Sequence, residues 1–104
     1  MKPRVKRSGH LSEYTWQGMV LQLARATGWT YYHTRSSRGS VPGFPDLVLV
    51  RGDRLIFAEL KAQDGDTSTA QDRWLALLEG TSAEVYVWRP SDLDQVKRTL
   101  ELRA

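Results

Sequence analysis

Two apolar runs, Leu47–Val50 and Leu55–Ala58, are separated by Arg51-Gly52-Asp53-Arg54, and this arrangement restricts the chain more than anything else in it. A two-residue Gly-Asp loop between runs of β-branched and large apolar residues is the signature of a type II′ hairpin. A loop that short fixes the register. Arg51 then opposes Arg54, Val50 opposes Leu55, Leu49 opposes Ile56, Val48 opposes Phe57 and Leu47 opposes Ala58. Continuing the ladder sets Asp46 against Glu59. Directly opposed residues share a face, with Cβ atoms about 5 Å apart. Lys61, two residues beyond Glu59, points the same way. Two carboxylates and one ammonium therefore gather at one end of an otherwise apolar hairpin.

Like charges set opposite each other in a half-buried sheet are costly. A hard divalent cation removes that cost, because Mg²⁺ binds through one or two carboxylates together with water and phosphate oxygens. A plainer arrangement also satisfies the spacing: both acids solvated at the sheet rim, with Lys61 as their salt-bridge partner.

Composition narrows the choice. At 104 residues the chain suits one small domain, and 40% hydrophobic residues with four Trp can fill a core. The absence of cysteine excludes a disulfide framework and any thiolate metal site, and is compatible with a cytoplasmic protein. Two His are too few for a multi-His zinc cage. No apolar run approaches membrane-spanning length, so no membrane partner is expected. The net charge of +3 is uneven: residues 1–45 carry +6 and residues 46–104 carry −3. A basic flank beside an acidic cluster suits a polyanion held next to a metal, although a solvated basic tail has the same composition.

Along the chain, residues 1–10 are basic and aperiodic and read as a flexible arm, with Lys6 and Arg7 as candidate phosphate contacts. Ser12 is the expected N-cap of a first helix whose apolar stripe includes Trp16, Met19, Val20 and Leu23, ending at Gly28. Glu13 falls in its first turn, where an acid complements the macrodipole or adds a third acid facing the hairpin; Gln17, one turn on, competes for that second role. Trp29–Thr34 reads as a strand. It leads into a loop carrying Arg35 and Arg38 among Ser and Gly, which either binds phosphates or is simply solvated. After the hairpin, Ser68 and Gln71 form a capping box ahead of a helix with Trp74, Leu75 and Leu78. Glu84–Trp88 is a strand, and Ser91 is the expected cap of a last helix with Leu93, Val96 and Leu100. The order αβββαβα, with a helix crossing from the Glu59 strand to the Tyr86 strand, implies an α/β domain with a central mixed sheet flanked by helices. The expected core comprises Trp16, Val20, Leu23, Leu47, Leu49, Ile56, Ala58, Trp74, Leu78, Val85, Val87 and Val96.

The Gly43-Phe44-Pro45-Asp46 turn, Glu59-x-Lys61 on the following strand and Gln71 opening the next helix resemble the PD-(D/E)xK nuclease superfamily, most closely its virus-type replication-repair nuclease (VRR-NUC) domain. The resemblance spans roughly residues 12–100 within an expected domain of residues 11–104. It implies a restriction-endonuclease-like fold and hydrolysis of DNA phosphodiester bonds with Mg²⁺ or Mn²⁺. Carried over by position, Asp46 and Glu59 are metal ligands joined by the backbone carbonyl of Leu60. Lys61 orients the attacking water and offsets phosphate charge, and Gln71 is the downstream site residue. The first-helix acid maps to Glu13. Small stand-alone members resemble phage or prophage proteins and Holliday-junction resolvases, which implies branched DNA as substrate, a homodimer, and the cytoplasm of a bacterial or phage-infected cell. His33 is a further candidate, as a base, a structural residue or a phosphate contact. A non-catalytic DNA-binding or assembly module that retains the fold is the competing expectation. A nucleotide-binding α/β protein lacks its Gly-rich phosphate loop here.

Overall fold

The hairpin closes on Gly52, whose φ of +61° supplies the left-handed first position of a type II′ turn, while Asp53 keeps a negative φ. A computed structural model describes residues 11–34 and 39–102. In chain order the elements are helix α1 (Glu13–Ala26), strands β1 (Thr30–His33), β2 (Leu47–Arg51) and β3 (Arg54–Leu60), helix α2 (Thr69–Glu79), strand β4 (Glu84–Trp88), a 3-10 turn (Pro90–Asp92) and helix α3 (Leu93–Glu101). The sheet order is β1-β2-β3-β4. β1–β2 and β2–β3 are antiparallel and β3–β4 is parallel. The hairpin register runs from Arg51 opposite Arg54 to Leu47 opposite Ala58, as the turn requires. This is the mixed-sheet α/β arrangement expected of a restriction-endonuclease-like domain.

Strand alternation sorts the side chains onto two faces. Leu47, Leu49, Ile56, Ala58 and Leu60 are fully buried with Trp16, Val20 and Ala24 of α1 and Val96 and Leu100 of α3. The intervening residues point to the opposite face, part of which α2 covers. There Phe44 packs edge-on against both Phe57 and Trp74, with ring centroids 5.8 and 5.1 Å away. The two faces are unequal. Of the expected core, Trp16, Val20, Leu47, Leu49, Ile56, Ala58 and Val96 are buried. Leu23, Trp74, Leu78, Val85 and Val87 are only half-buried. The last four lie on α2 or on the face of β4 that it covers, where a single 11-residue helix shields less than α1 and α3 do together.

Two local expectations are corrected. Trp29 precedes β1 instead of opening it, and is buried in the core. Ser91 does not cap α3. Pro90, with its fixed φ, starts a 3-10 turn, and Asp92 sends its carboxylate back to the Arg89 N–H at 2.8 Å. Ser91 is engaged instead by Gln63, whose amide bonds both its hydroxyl and its backbone N–H.

Arg51 and Arg54, opposed across the ladder, gain from two helix ends what they lose by mutual repulsion. Their guanidinium carbons lie 4.7 and 4.9 Å from the ring centroid of Trp29. Arg51 donates to the carbonyls of Thr27 and Leu100, each at 2.8 Å. Arg54 donates to those of Thr99 at 3.0 Å and Leu102 at 2.8 Å. The Trp29 indole N–H takes the Leu100 carbonyl as well, at 2.9 Å. The C-terminal carbonyls that α3 cannot bond internally are thus satisfied by cations at the negative end of its dipole. Arg54 also pairs with Glu84 through two hydrogen bonds of 2.8 and 2.7 Å, which hold the Glu84 carboxyl below its ordinary range.

A lysine cannot reproduce this fork. Arg54→Lys is expected to cost about 1–3 kcal/mol in chemical denaturation, because it leaves the α3 carbonyls or Glu84 unpartnered. A loss no larger than that of an exposed surface substitution would remove the clamp from the account of stability.

Candidate active site

The end of the hairpin opposite its turn carries the charges. Asp46 lies one residue before β2, and its carbonyl accepts the Thr34 N–H at 3.0 Å, extending the β1–β2 ladder. Its own N–H donates to Glu59 Oε1 at 3.2 Å, and its Oδ2 accepts the Leu60 N–H at 2.9 Å. Asp46 and the Glu59-Leu60 segment therefore hold each other by backbone and side chain together. Glu59 is 2% exposed although it lies one residue from the end of β3. Its Oε2 accepts Gln71 Nε2 at 2.8 Å and lies 3.7 Å from Lys61 Nζ.

Burial pushes the Glu59 carboxyl up to about 8, and the negative charge of Asp46 adds to the shift, while the Lys61 ammonium opposes it. The acid pair is thus poorly neutralised by the chain itself. The solvated-rim alternative does not describe Glu59, which is inside the protein.

Gln71 uses both ends of its amide. Oε1 accepts the Ser68 N–H at 2.8 Å, Ser68 Oγ accepts the Gln71 N–H at 3.1 Å, and these two bonds complete the capping box of α2. With its oxygen committed to the cap, the amide turns its nitrogen to Glu59. The structural and site readings of Gln71 are one arrangement.

Gly43 allows α2 to come this close. Its φ is +94°, and a Cβ there would lie 2.5 Å from the Ala70 carbonyl carbon and 2.8 Å from the Gln71 nitrogen. Only glycine fits between this turn and the α2 backbone. The glycine is visible in the sequence; the helix that presses on it is not.

The other sequence-derived candidates stand apart from this cluster. Glu13 is in the first turn of α1, as expected. Trp16, in the next turn, donates its indole N–H at 2.9 Å to the Trp88 carbonyl that also receives the Lys61 N–H at 3.0 Å. The start of α1 is therefore at the correct end of the sheet, yet no hydrogen bond or ion pair joins Glu13 or Gln17 to Asp46 or Glu59. Among the described residues no three of His, Asp and Glu gather as a metal-binding group. Leu60 takes part through its backbone. His33 pairs with Leu47, so it shares the α1 face and not that of the acids. Lys6, Arg7, Arg35 and Arg38, with the whole 1–10 arm, lie outside the described residues.

Two carboxylates, one of them buried and under-compensated, with an adjacent ammonium, suit a hard divalent cation such as Mg²⁺ or Mn²⁺. Asp46 and Glu59 are the residues that could hold it, with the Leu60 carbonyl as a third donor.

Two predictions follow from this geometry. A carboxyl whose pKa rises on folding binds its proton more tightly in the native state, so its contribution to stability is complete below about 4.5 and is lost as pH climbs through about 8. Metal-free protein should therefore lose melting temperature between pH 5 and 9 in chelator, and Glu59→Gln should flatten that fall; parallel curves would refute the buried acid. Gly43→Ala should cost about 1–3 kcal/mol or more in denaturation, because it combines a left-handed φ with a backbone clash.

Comparison with known proteins gives one family match. The VRR-NUC domain model aligns with residues 4–92 of this chain. No curated protein and no solved structure matches it. The match covers most of the sequence, including the Gly43–Asp46 turn, the hairpin acids, Lys61 and Gln71. The chain belongs to the VRR-NUC family of nuclease domains.

Proposed function

We propose that this protein is a divalent-metal-dependent DNA endonuclease whose active site is Asp46, Glu59, Lys61 and Gln71. The observation that carries the reading is the buried Glu59 carboxylate beside Asp46, with a single ammonium at 3.7 Å. An acid pair kept at that cost is accounted for by a cation and an anionic substrate, and the family is one of nucleases.

Asp46 and Glu59 hold the cation, assisted by the Leu60 carbonyl. When bound, Mg²⁺ or Mn²⁺ lowers the pKa of water and offsets charge on the phosphoryl oxygens. Lys61 supplies a fixed positive charge beside Glu59, placed to steady the attacking water and the charge that develops on the scissile phosphate. Gln71 keeps Glu59 Oε2 aimed by donating to it. Glu13 remains a proposed accessory acid at the same end of the sheet. Lys6, Arg7, Arg35 and Arg38 contribute affinity for the DNA backbone; His33, on the α1 face and not that of the acids, keeps a structural role. The preferred substrate is branched DNA cut by a homodimer, since symmetric cleavage of two strands requires two sites.

The test is nicking of supercoiled plasmid and cleavage of four-way, flap, duplex and single-stranded substrates in Mg²⁺ or Mn²⁺, with chelator as control. Wild type should cleave only with metal and should gain melting temperature when metal is added. Glu59→Gln should lose cleavage by about 10²-fold or more and gain little in melting. Lys61→Ala should keep the metal-induced gain yet lose cleavage. Activity that survives Glu59→Gln, or persists in chelator, would overturn the assignment.

A further inference from the structure

The face of the sheet that carries the acids is only partly roofed. α2 and Phe44 cover it over Phe57 and β4, but the β1–β2 side is open. Tyr32 is 65% exposed and Val50 44%, and Leu55 is exposed beside Val50. Register places them in rows across the strands. Thr30, Val50 and Leu55 form one row, and Tyr32, Val48 and Phe57 the next. The row after that is Asp46 with Glu59, so Tyr32 occupies the row adjoining the candidate site, on the same face. From strand spacing and rise, Tyr32 lies about 8–9 Å from Asp46, one strand over and two residues along. Tyr32 makes no hydrogen bond or ring contact with any other described residue. Nothing among the described residues explains an aromatic ring there.

We propose that Tyr32, backed by Val48, is a stacking platform for an unpaired DNA base one or two nucleotides from the phosphate held at Asp46, Glu59 and Lys61. The proposal rests on the nuclease reading for its choice of ligand. The surface itself supports that choice. It is continuous with the acid row, so a strand that places a phosphate there must pass the Tyr32 row or leave in the opposite direction. The rows of the patch contain no charged side chain that would repel a polyanion. An exposed tyrosine offers a π-face that any base can use, so it favours unpaired nucleotides without reading sequence. In a paired duplex the bases are stacked on one another and Tyr32 has nothing to receive. The platform would therefore supply selectivity for junctions, flaps or single strands over continuous duplex.

The test is made in chelator, where no cleavage intervenes. Oligonucleotides carry 2-aminopurine at successive positions on either side of a branch point, and are titrated with wild type, Tyr32→Phe and Tyr32→Ser, each checked by thermal melting. Wild type and Tyr32→Phe should quench the probe at one or two adjacent positions, and Tyr32→Ser should abolish that quenching. Tyr32→Ser should bind DNA with unpaired nucleotides about tenfold more weakly, within the range of one lost base–aromatic stack, and bind continuous duplex as wild type does. Equal loss on both substrates, unchanged binding, or a change only in self-association by light scattering would overturn the platform. The last result would assign the patch to a second copy of the chain. Cleavage in Mg²⁺ is scored separately. Quenching without any cleavage leaves the platform standing and removes the nuclease reading, and cleavage without quenching does the reverse.

Discussion

The Gly52-Asp53 turn sets the parity of every residue in the hairpin, and the rest of the molecule is built on that parity. Leu47, Leu49, Ile56 and Ala58 are directed to α1 and α3, and Phe57, Glu59 and Lys61 to α2. A slip of one residue would drive Glu59 into the apolar layer around Trp16 and Val20 and expose Ile56 and Ala58 to the thinner side. A left-handed glycine in a two-residue loop forbids that slip. The separation of packing from chemistry thus rests on two residues at the end of the sheet remote from the acids.

Much of this was legible because it is local. The hairpin register, the capping box at Ser68 and Gln71, the parallel pairing across α2 and the shared face of Asp46, Glu59 and Lys61 all follow from spacings of a few residues. What was not legible depends on distant parts of the chain. Nothing near Arg51 and Arg54 in sequence announces that the C-terminal carbonyls of α3, nearly 50 residues on, will receive them. Ser91 looks like a cap until Gln63 is found bonded to it. Glu13 sits on the expected helix, but helical periodicity does not fix how that helix is placed against the acids. Gly43 is an obvious turn residue whose tight fit against Ala70 appears only when α2 is docked.

The two faces also differ in how completely they are closed. The α1–α3 face is closed, with its polar atoms matched: Trp16 and Trp29 donate to main-chain carbonyls, and the arginines finish the helix ends. Trp88 Nε1 is the exception, buried without a partner among the described residues. The α2 face holds a buried acid with a strongly raised pKa, a half-covered core and exposed aromatic and aliphatic side chains. Such a face is maintained at the expense of the other, which is the usual relation between a strained site and its scaffold.

The amide of Gln71 is bonded at one end to the start of α2 and at the other to β3, and this ties the site to the order in which the chain assembles. The hairpin is contiguous in sequence and can bring Asp46 and Glu59 together early. Glu59 Oε2 gains its donor only when α2 has nucleated at Ser68 and swung back over the sheet, with Gly43 admitting it. The alignment of Glu59 and the closure of the α2 layer are therefore one packing event, and a change that loosens α2 also frees the acid.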